Sequence, residues 1–124
     1  MATPMARPLL VTGGAGFIGS ACTRHALQEG IPILNLDKLT YAASKDALEG
    51  LERHPLHRFV QGDIQDSPLL NRIFETYRPS GVIHFAAETH VDRSIDGPAA
   101  FIQTNIVGTQ TLLSAALKYY QDLN

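Results

Sequence analysis

Gly13, Gly16 and Gly19 follow directly on the apolar run Leu9-Leu10-Val11, and that arrangement is one that can hold a phosphate. Backbone without Cβ atoms lets an anion approach closely, and a helix that starts there offers free N–H groups and a partial positive charge. Gly13 would allow the tight turn, Gly16 would admit a pyrophosphate to the backbone, and Gly19 would let the helix pack closely on the strand. Eighteen residues beyond Gly19, the short apolar run Ile33-Leu34-Asn35-Leu36 ends in Asp37. A carboxylate at the end of a second strand accepts hydrogen bonds from ribose hydroxyls and repels a 2′-phosphate, which favours NAD over NADP. Lys38 works the other way, since a cation there could pair with a phosphate. The bland alternatives are a glycine turn without a ligand and a solvated turn acid. The spacing between the two features argues against both.

Other reactive residue types are weaker candidates. Tyr41-Ala42-Ala43-Ser44-Lys45 matches Tyr-x-x-x-Lys, but it lies four residues after Asp37, at the adenosine end of such a site. A base must be within hydrogen-bond reach of its proton, so the favoured reading is a loop tyrosine and a solvated lysine. His54 and His57 resemble a metal pair without a third ligand, with Pro55 between them, and a surface loop is favoured. Glu88, His90, Asp92 and Arg93 form a polar cluster suited either to acid/base work or to a structural network. His84, inside an apolar strand, reads as a satisfied core histidine, His25 as a surface residue and the lone Cys22 as a packed thiol.

The elements that must position these residues alternate regularly. A first strand into Gly13 is followed by a helix to about Glu29, with Phe17, Ile18, Ala21, Cys22, Ala26 and Leu27 at helical spacing and Gly30 as left-handed cap. Ile33 to Leu36 is a second strand, Ser44 to Arg53 a weak charged helix, and His57 to Gly62 a third strand ending at Asp63-Ile64. Ser67 and Pro68 open a helix whose apolar face is Leu69, Leu70, Ile73, Phe74 and Tyr77, stopped by Pro79. Gly81 to Ala87 is a fourth strand. Pro98 then opens a long helix with Ile102, Ile106, Thr109, Leu113, Ala116 and Tyr120 as its stripe. Strand and helix repeated four times imply an α/β fold, a doubly wound parallel sheet of the Rossmann type with right-handed crossovers. Its ligand crevice lies at the carboxyl ends of the strands, where Ala86 and Ala87 leave room.

Composition adds bounds. The chain has 124 residues, 44% hydrophobic and 18% charged, which suits one globular domain. A net charge of -2 without a basic block argues against nucleic acid or an anionic membrane as partner. A single cysteine and the lack of a leader-like or membrane-length apolar run suggest a cytoplasmic protein.

Five runs resemble the extended short-chain dehydrogenase/reductase superfamily and, within it, the dTDP-glucose 4,6-dehydratases. They are Thr12 to Gly19, Asn35 to Ala42, Gly62 to Ile64, His84 to Ile95 and Thr104 to Thr109. The resemblance implies that Gly13, Gly16, Phe17, Ile18 and Gly19 hold the pyrophosphate of NAD, and that Asp37, Lys38, Leu39 and Thr40 hold its adenosine. It places Asp63 and Ile64 beside the adenine and Phe85, Ala86, Ala87, Thr89 and Thr104 on the nicotinamide side. Thr89 stands where the family usually has serine, and Thr89 with His90 are candidates for contact with a nucleotide-sugar substrate, dTDP-glucose by the resemblance.

In that family NAD takes a hydride from sugar C4, acid/base groups eliminate water across C5 and C6, and the hydride returns to C6. A Tyr-x-x-x-Lys motif and a Thr-Asp-Glu run do the acid/base work, the lysine lowering the tyrosine pKa. Both follow the fourth strand and its long helix, so no catalytic residue is expected among these 124. The chain is expected to supply the NAD-binding part of an enzyme that forms a homodimer at full length, and to be inactive alone. A related nucleotide-sugar epimerase or decarboxylase is the alternative.

Overall fold

The buried residues of the central strands point alternately into two cores, one on either face of a single sheet. The computed structural model describes residues 6–39, 47–86, 99 and 102–123. Its strands are β1 (Leu9–Thr12), β2 (Ile33–Asp37), β3 (His57–Gln61) and β4 (Gly81–His84). They form a parallel sheet in the order β3-β2-β1-β4. Leu9 is in register with both Ile33 and Gly81, and Thr12 with both Leu36 and His84, so the four carboxyl ends lie along one edge.

Helix α1 (Phe17–Gln28) covers one face, where Val11 and Ile33 pack with Ala15, Ala26, Leu27, Leu48 and Leu51. Helices α2 (Ser67–Tyr77) and α3 (Thr109–Asp122) cover the other, where Leu10, Leu34 and Leu36 pack with Ile64, Leu70, Ile73, Phe74, Leu112 and Ala115. Each fully buried leucine contributes about 1.5–3 kcal/mol of transfer free energy. The doubly wound α/β reading therefore holds, as does the apolar face of α2.

Several local expectations give way to packing. The cap of α2 is Asp66 rather than Ser67, its carboxylate accepting the Leu69 N–H at 3.1 Å. Of the helix expected over Ser44 to Arg53, residues 44–46 lie outside the described residues, Ala47 is helical and residues 48–53 form turns. β4 stops at His84, short of Ala87. In α1 the buried residues are Gly19, Thr23, Ala26 and Leu27, while Phe17, Ile18 and Ala21 are exposed, because the first turn approaches the sheet too closely for large side chains.

The last helix differs most. A π-helical stretch, Gln103–Gly108, leads into α3. The stripe that reaches the core is Gly108, Leu112, Ala115 and the half-buried Tyr119, one residue off the expected one. Ile102, Ile106, Leu113 and Tyr120 of the expected stripe face outward, and only Thr109 and Ala116 are half-buried. Position 108 requires glycine because a Cβ there would lie 2.6 Å from Ile64 Cδ1, and this close approach turns Leu112 and Ala115 inward. Among the described residues no helix is long and apolar enough to cross a membrane.

Candidate functional site

The glycine turn sits where β1 ends against β2 and β4. Gly13 has φ +75°, and a Cβ there would lie 2.6 Å from the Ala86 N atom, so only glycine fits. Gly19 is held against Gly13, whose carbonyl occupies the space a side chain would need. Gly16 meets nothing closer than 3.3 Å and lies open. It is the N-cap of α1, with no side-chain cap and no acid in the first turn. The first N–H groups of α1 thus have no side-chain acceptor, which is the donor set an anion uses. Phe17 and Ile18, 94% and 65% exposed, contribute backbone to this turn and no side chain to the core.

Asp37 locks the turn to the end of β2. Its Oδ2 accepts the Ala15 N–H at 2.9 Å and its Oδ1 the Leu39 N–H at 2.8 Å. Each oxygen keeps a lone pair for a further donor, such as a ribose hydroxyl. Leu39 adopts the left-handed conformation, φ 59°, rare for leucine and characteristic of strained functional turns. Lys38 pairs with Asp63 at 3.2 Å, so its charge is partly balanced by an acid from the end of β3. Asp63 also accepts the Gln65 N–H at 2.9 Å. Ile64, 4% exposed, packs in the core under Gly108, so its side chain does not border open space at the crevice.

The end of β4 is fixed to β1. The Phe85 N–H donates to the Thr12 carbonyl at 2.8 Å, and the Ala86 N–H reaches Thr12 Oγ1 at 3.4 Å. A directed chain continues from there. Thr109 Oγ1 donates to the Asn105 carbonyl at 3.0 Å, so it accepts from His84 Nε2 at 2.9 Å, and His84 Nδ1 accepts from Thr12 Oγ1 at 2.6 Å. His84 is thereby a satisfied, neutral histidine joining β1, β4 and α3, and burial lowers its pKa.

A second network lies beneath the turn. Thr23 Oγ1 donates to the Gly19 carbonyl at 2.8 Å and accepts from Asn35 Nδ2 at 3.2 Å. Asn35 Nδ2 also donates to His57 Nε2 at 3.0 Å, and His57 Nδ1 donates to the Leu51 carbonyl at 3.1 Å. His57 is 7% exposed, which corrects the surface-loop reading: it opens β3 and points into the core. Sequence alone missed this network, although a polar Asn35 inside the apolar run of β2 was a visible signal. His25 is exposed as expected, whereas Cys22 is only half-buried.

The structure brings together Gly13, Gly16, Phe17, Ile18, Gly19, Asp37, Lys38, Leu39, Asp63, Phe85 and Ala86 along one sheet edge. Thr40, Tyr41, Lys45, Ala87, Glu88, Thr89, His90, Asp92 and Arg93 lie outside the described residues. Thr104 belongs to the π-helical stretch. Among the described residues no group of three potential metal ligands occurs.

A parallel sheet in this order, with a glycine turn between its first strand and helix, defines a doubly wound dinucleotide-binding fold. The chain belongs to the GDP-mannose 4,6 dehydratase family, whose model matches residues 10–123. It is 53% identical over 114 residues to the dTDP-glucose 4,6-dehydratase of Xanthomonas campestris pv. campestris (strain B100), covering 92% of this chain and 32% of that protein. It is 51% identical over 117 residues to dTDP-glucose 4,6-dehydratase 1 of Escherichia coli (strain K12), covering 94% and 32%. The chain thus spans about a third of the length of these relatives. Among solved structures it resembles DesIV, a dTDP-glucose 4,6-dehydratase from Streptomyces venezuelae with NAD and TYD bound. The TM-score is 0.83 at 46% identity, covering 91% of this chain and 36% of that one. It also resembles a Thermus thermophilus UDP-glucose 4-epimerase in complex with NAD, with TM-score 0.79 at 32% identity, covering 91% and 34%.

Proposed function

We propose that this chain holds NAD as the cofactor-binding part of a dTDP-glucose 4,6-dehydratase. The observation that carries the proposal is the junction of the Gly13–Gly19 turn with Asp37. The residues fit the cofactor. The turn is a cradle that a Cβ would fill, the start of α1 lacks a side-chain cap, and Asp37 keeps acceptor capacity beside it. Bound NAD supplies a hydride acceptor and donor, which no side chain can. The protein's part here is to place it. The turn takes the pyrophosphate, Asp37, Lys38, Leu39 and Thr40 the adenosine ribose, and Asp63 with the backbone of Ile64 the adenine. Phe85, Ala86, Ala87, Thr89 and Thr104 take the nicotinamide side. Thr89 and His90 contact the nucleotide sugar.

dTDP-glucose 4,6-dehydratases match this chain at 40–53% identity and UDP-glucose 4-epimerases at 28–35%, which supports the dehydratase reading over an epimerase. The outward stripe of Ile102, Ile106, Leu113 and Tyr120 supports a second copy of the protein as partner. The lone Cys22 fits a reducing cytoplasm. Calorimetric titration of the chain with NAD tests the cofactor assignment, and binding is expected. Assay for the 4-keto sugar nucleotide is expected to detect no turnover by these 124 residues. Turnover at a rate normal for the family would overturn the assignment of catalysis to residues beyond them.

A further inference from the structure

We propose that His57 is a positioning residue for the phosphate-binding turn, acting through the carboxamide of Asn35, and that its protonation weakens NAD binding. The inference rests on the NAD assignment above and extends it to a residue at the far end of β3.

The orientation of each group is fixed by its neighbours. Thr23 gives its hydroxyl proton to Gly19, so it receives one Asn35 amide proton, and the other goes to His57 Nε2. Both protons being committed, Asn35 Oδ1 is directed under Gly14, where it fills the space a Cβ would need. Asn35 is fully buried, and among the described residues every buried side-chain polar atom has a partner. The network therefore has little freedom to rearrange without losing a hydrogen bond in the interior.

A proton on Nε2 reverses the sense of one link. His57 Nδ1 already donates to Leu51, so a protonated ring presents two donors, and Nε2–H would face the Asn35 NH2 group. The amide relieves this by turning over. Oδ1 then faces His57, while the NH2 group takes the place of Oδ1 under Gly14, where Thr23 Oγ1 is 3.4 Å away, in exchange for the 3.2 Å bond it made before. Gly14 lies between the two glycines of the turn, so the rearrangement acts on the pyrophosphate cradle directly. His57 also lines a cavity of about 500 Å³ with Leu39, Leu48, Glu52, Arg58, Phe59 and Tyr77, which gives a proton a route to the ring.

Burial holds the imidazole below its ordinary pKa. The Leu51 carbonyl and Glu52 act against this and His54 with it, while the groups facing it from β2 and α1, Asn35 and Thr23, are neutral. Binding and protonation are then linked: if the proton opposes NAD, NAD must lower the titration midpoint of His57 by the same free energy.

The test uses the chain as it stands. Calorimetry with NAD at pH 8 and pH 5 is expected to show a loss of about threefold or more for the native protein, approaching roughly a factor of ten per pH unit below the His57 midpoint. In His57→Gln, whose side-chain carbonyl still accepts from Asn35, the affinities at the two pH values should agree within about twofold, since an amide does not titrate. Circular dichroism at both pH values establishes that the protein is folded. A second measurement needs no variant: the NMR titration of His57 should shift to lower pH when NAD is added, with the Asn35 side-chain amide signals moving at the same midpoint. Equal pH dependence in both proteins, a flat profile in the native one, or an unmoved His57 midpoint would each overturn the proposal. Failure of the folded native chain to bind NAD at pH 8 would instead remove the cofactor assignment, and this inference with it.

Discussion

Asp37 Oδ2 accepts the backbone N–H of Ala15 at 2.9 Å, joining the end of the second strand to the glycine turn 22 residues earlier. The carboxylate therefore holds the glycine turn in place and, under the proposed cofactor reading, also accepts from ribose. Asp37→Ala should weaken NAD binding by more than the loss of a ribose contact. Each hydrogen bond to a charged group contributes about 1.5–3 kcal/mol. Asp37→Asn, with a single carbonyl oxygen for Ala15 and Leu39, should fall between. Calorimetric affinities of the three proteins check the order.

Under the proposed NAD assignment, Asp63 bears on cofactor preference through Lys38. It holds Lys38 at 3.2 Å, half-exposed, in a contact whose own contribution to stability is small. Asp63→Asn should leave the melting temperature nearly unchanged while releasing a cation beside the ribose. The ratio of NADP to NAD affinity should rise several-fold, and competition binding with the two cofactors measures it.

Stability should decline on the acid side of neutrality. Burial lowers the pKa of both His57 and His84 in the folded state, below the ordinary value of 6.5. Above pH 6.5 neither state binds these protons and the histidines add no slope. As pH falls through 6.5 the unfolded chain protonates first, so folding loses stability progressively until the folded-state pKa values are reached. Denaturant melts between pH 8 and 5 should show a plateau and then a fall, smaller in His57→Gln.

Gly108 and Ile64 fit one another closely. Gly108→Ala would place a methyl 2.6 Å from Ile64 Cδ1 in a packed core, and overpacking of this kind costs about 1–3 kcal/mol. Ile64→Val removes the opposing methyl. The double variant should recover part of the loss, giving a favourable coupling energy in a double-mutant cycle by denaturant unfolding.

The outward stripe should govern association. Leu113 and Tyr120 are 64% and 72% exposed on one face of α3. With a second copy on this face as proposed, Leu113→Glu should leave circular dichroism unchanged and shift sedimentation toward the monomer.

Much of this was legible because strands and glycine turns carry local signals. The apolar runs at Leu9, Ile33 and Gly81, each too short for a helix, gave the sheet, and Asp37 followed from the spacing to Gly19. The face of α3 differs by one residue because periodicity locates the most apolar stripe, whereas the close approach at Gly108 turns Leu112 and Ala115 inward. The Asn35–His57 link was hidden for a different reason. It joins two strands through side chains whose identities, amide and imidazole, read separately as polar exceptions.

The pairing of Leu9 with Gly81 has a consequence for synthesis. β1 leaves the ribosome before its neighbour β4, which is encoded 72 residues later, the same separation that parts Thr12 from His84. At about 5–20 residues per second, roughly 4–14 s pass before that edge can be covered. During that interval the edge of β1 that faces β4 is without its strand partner and open to pairing with other strands.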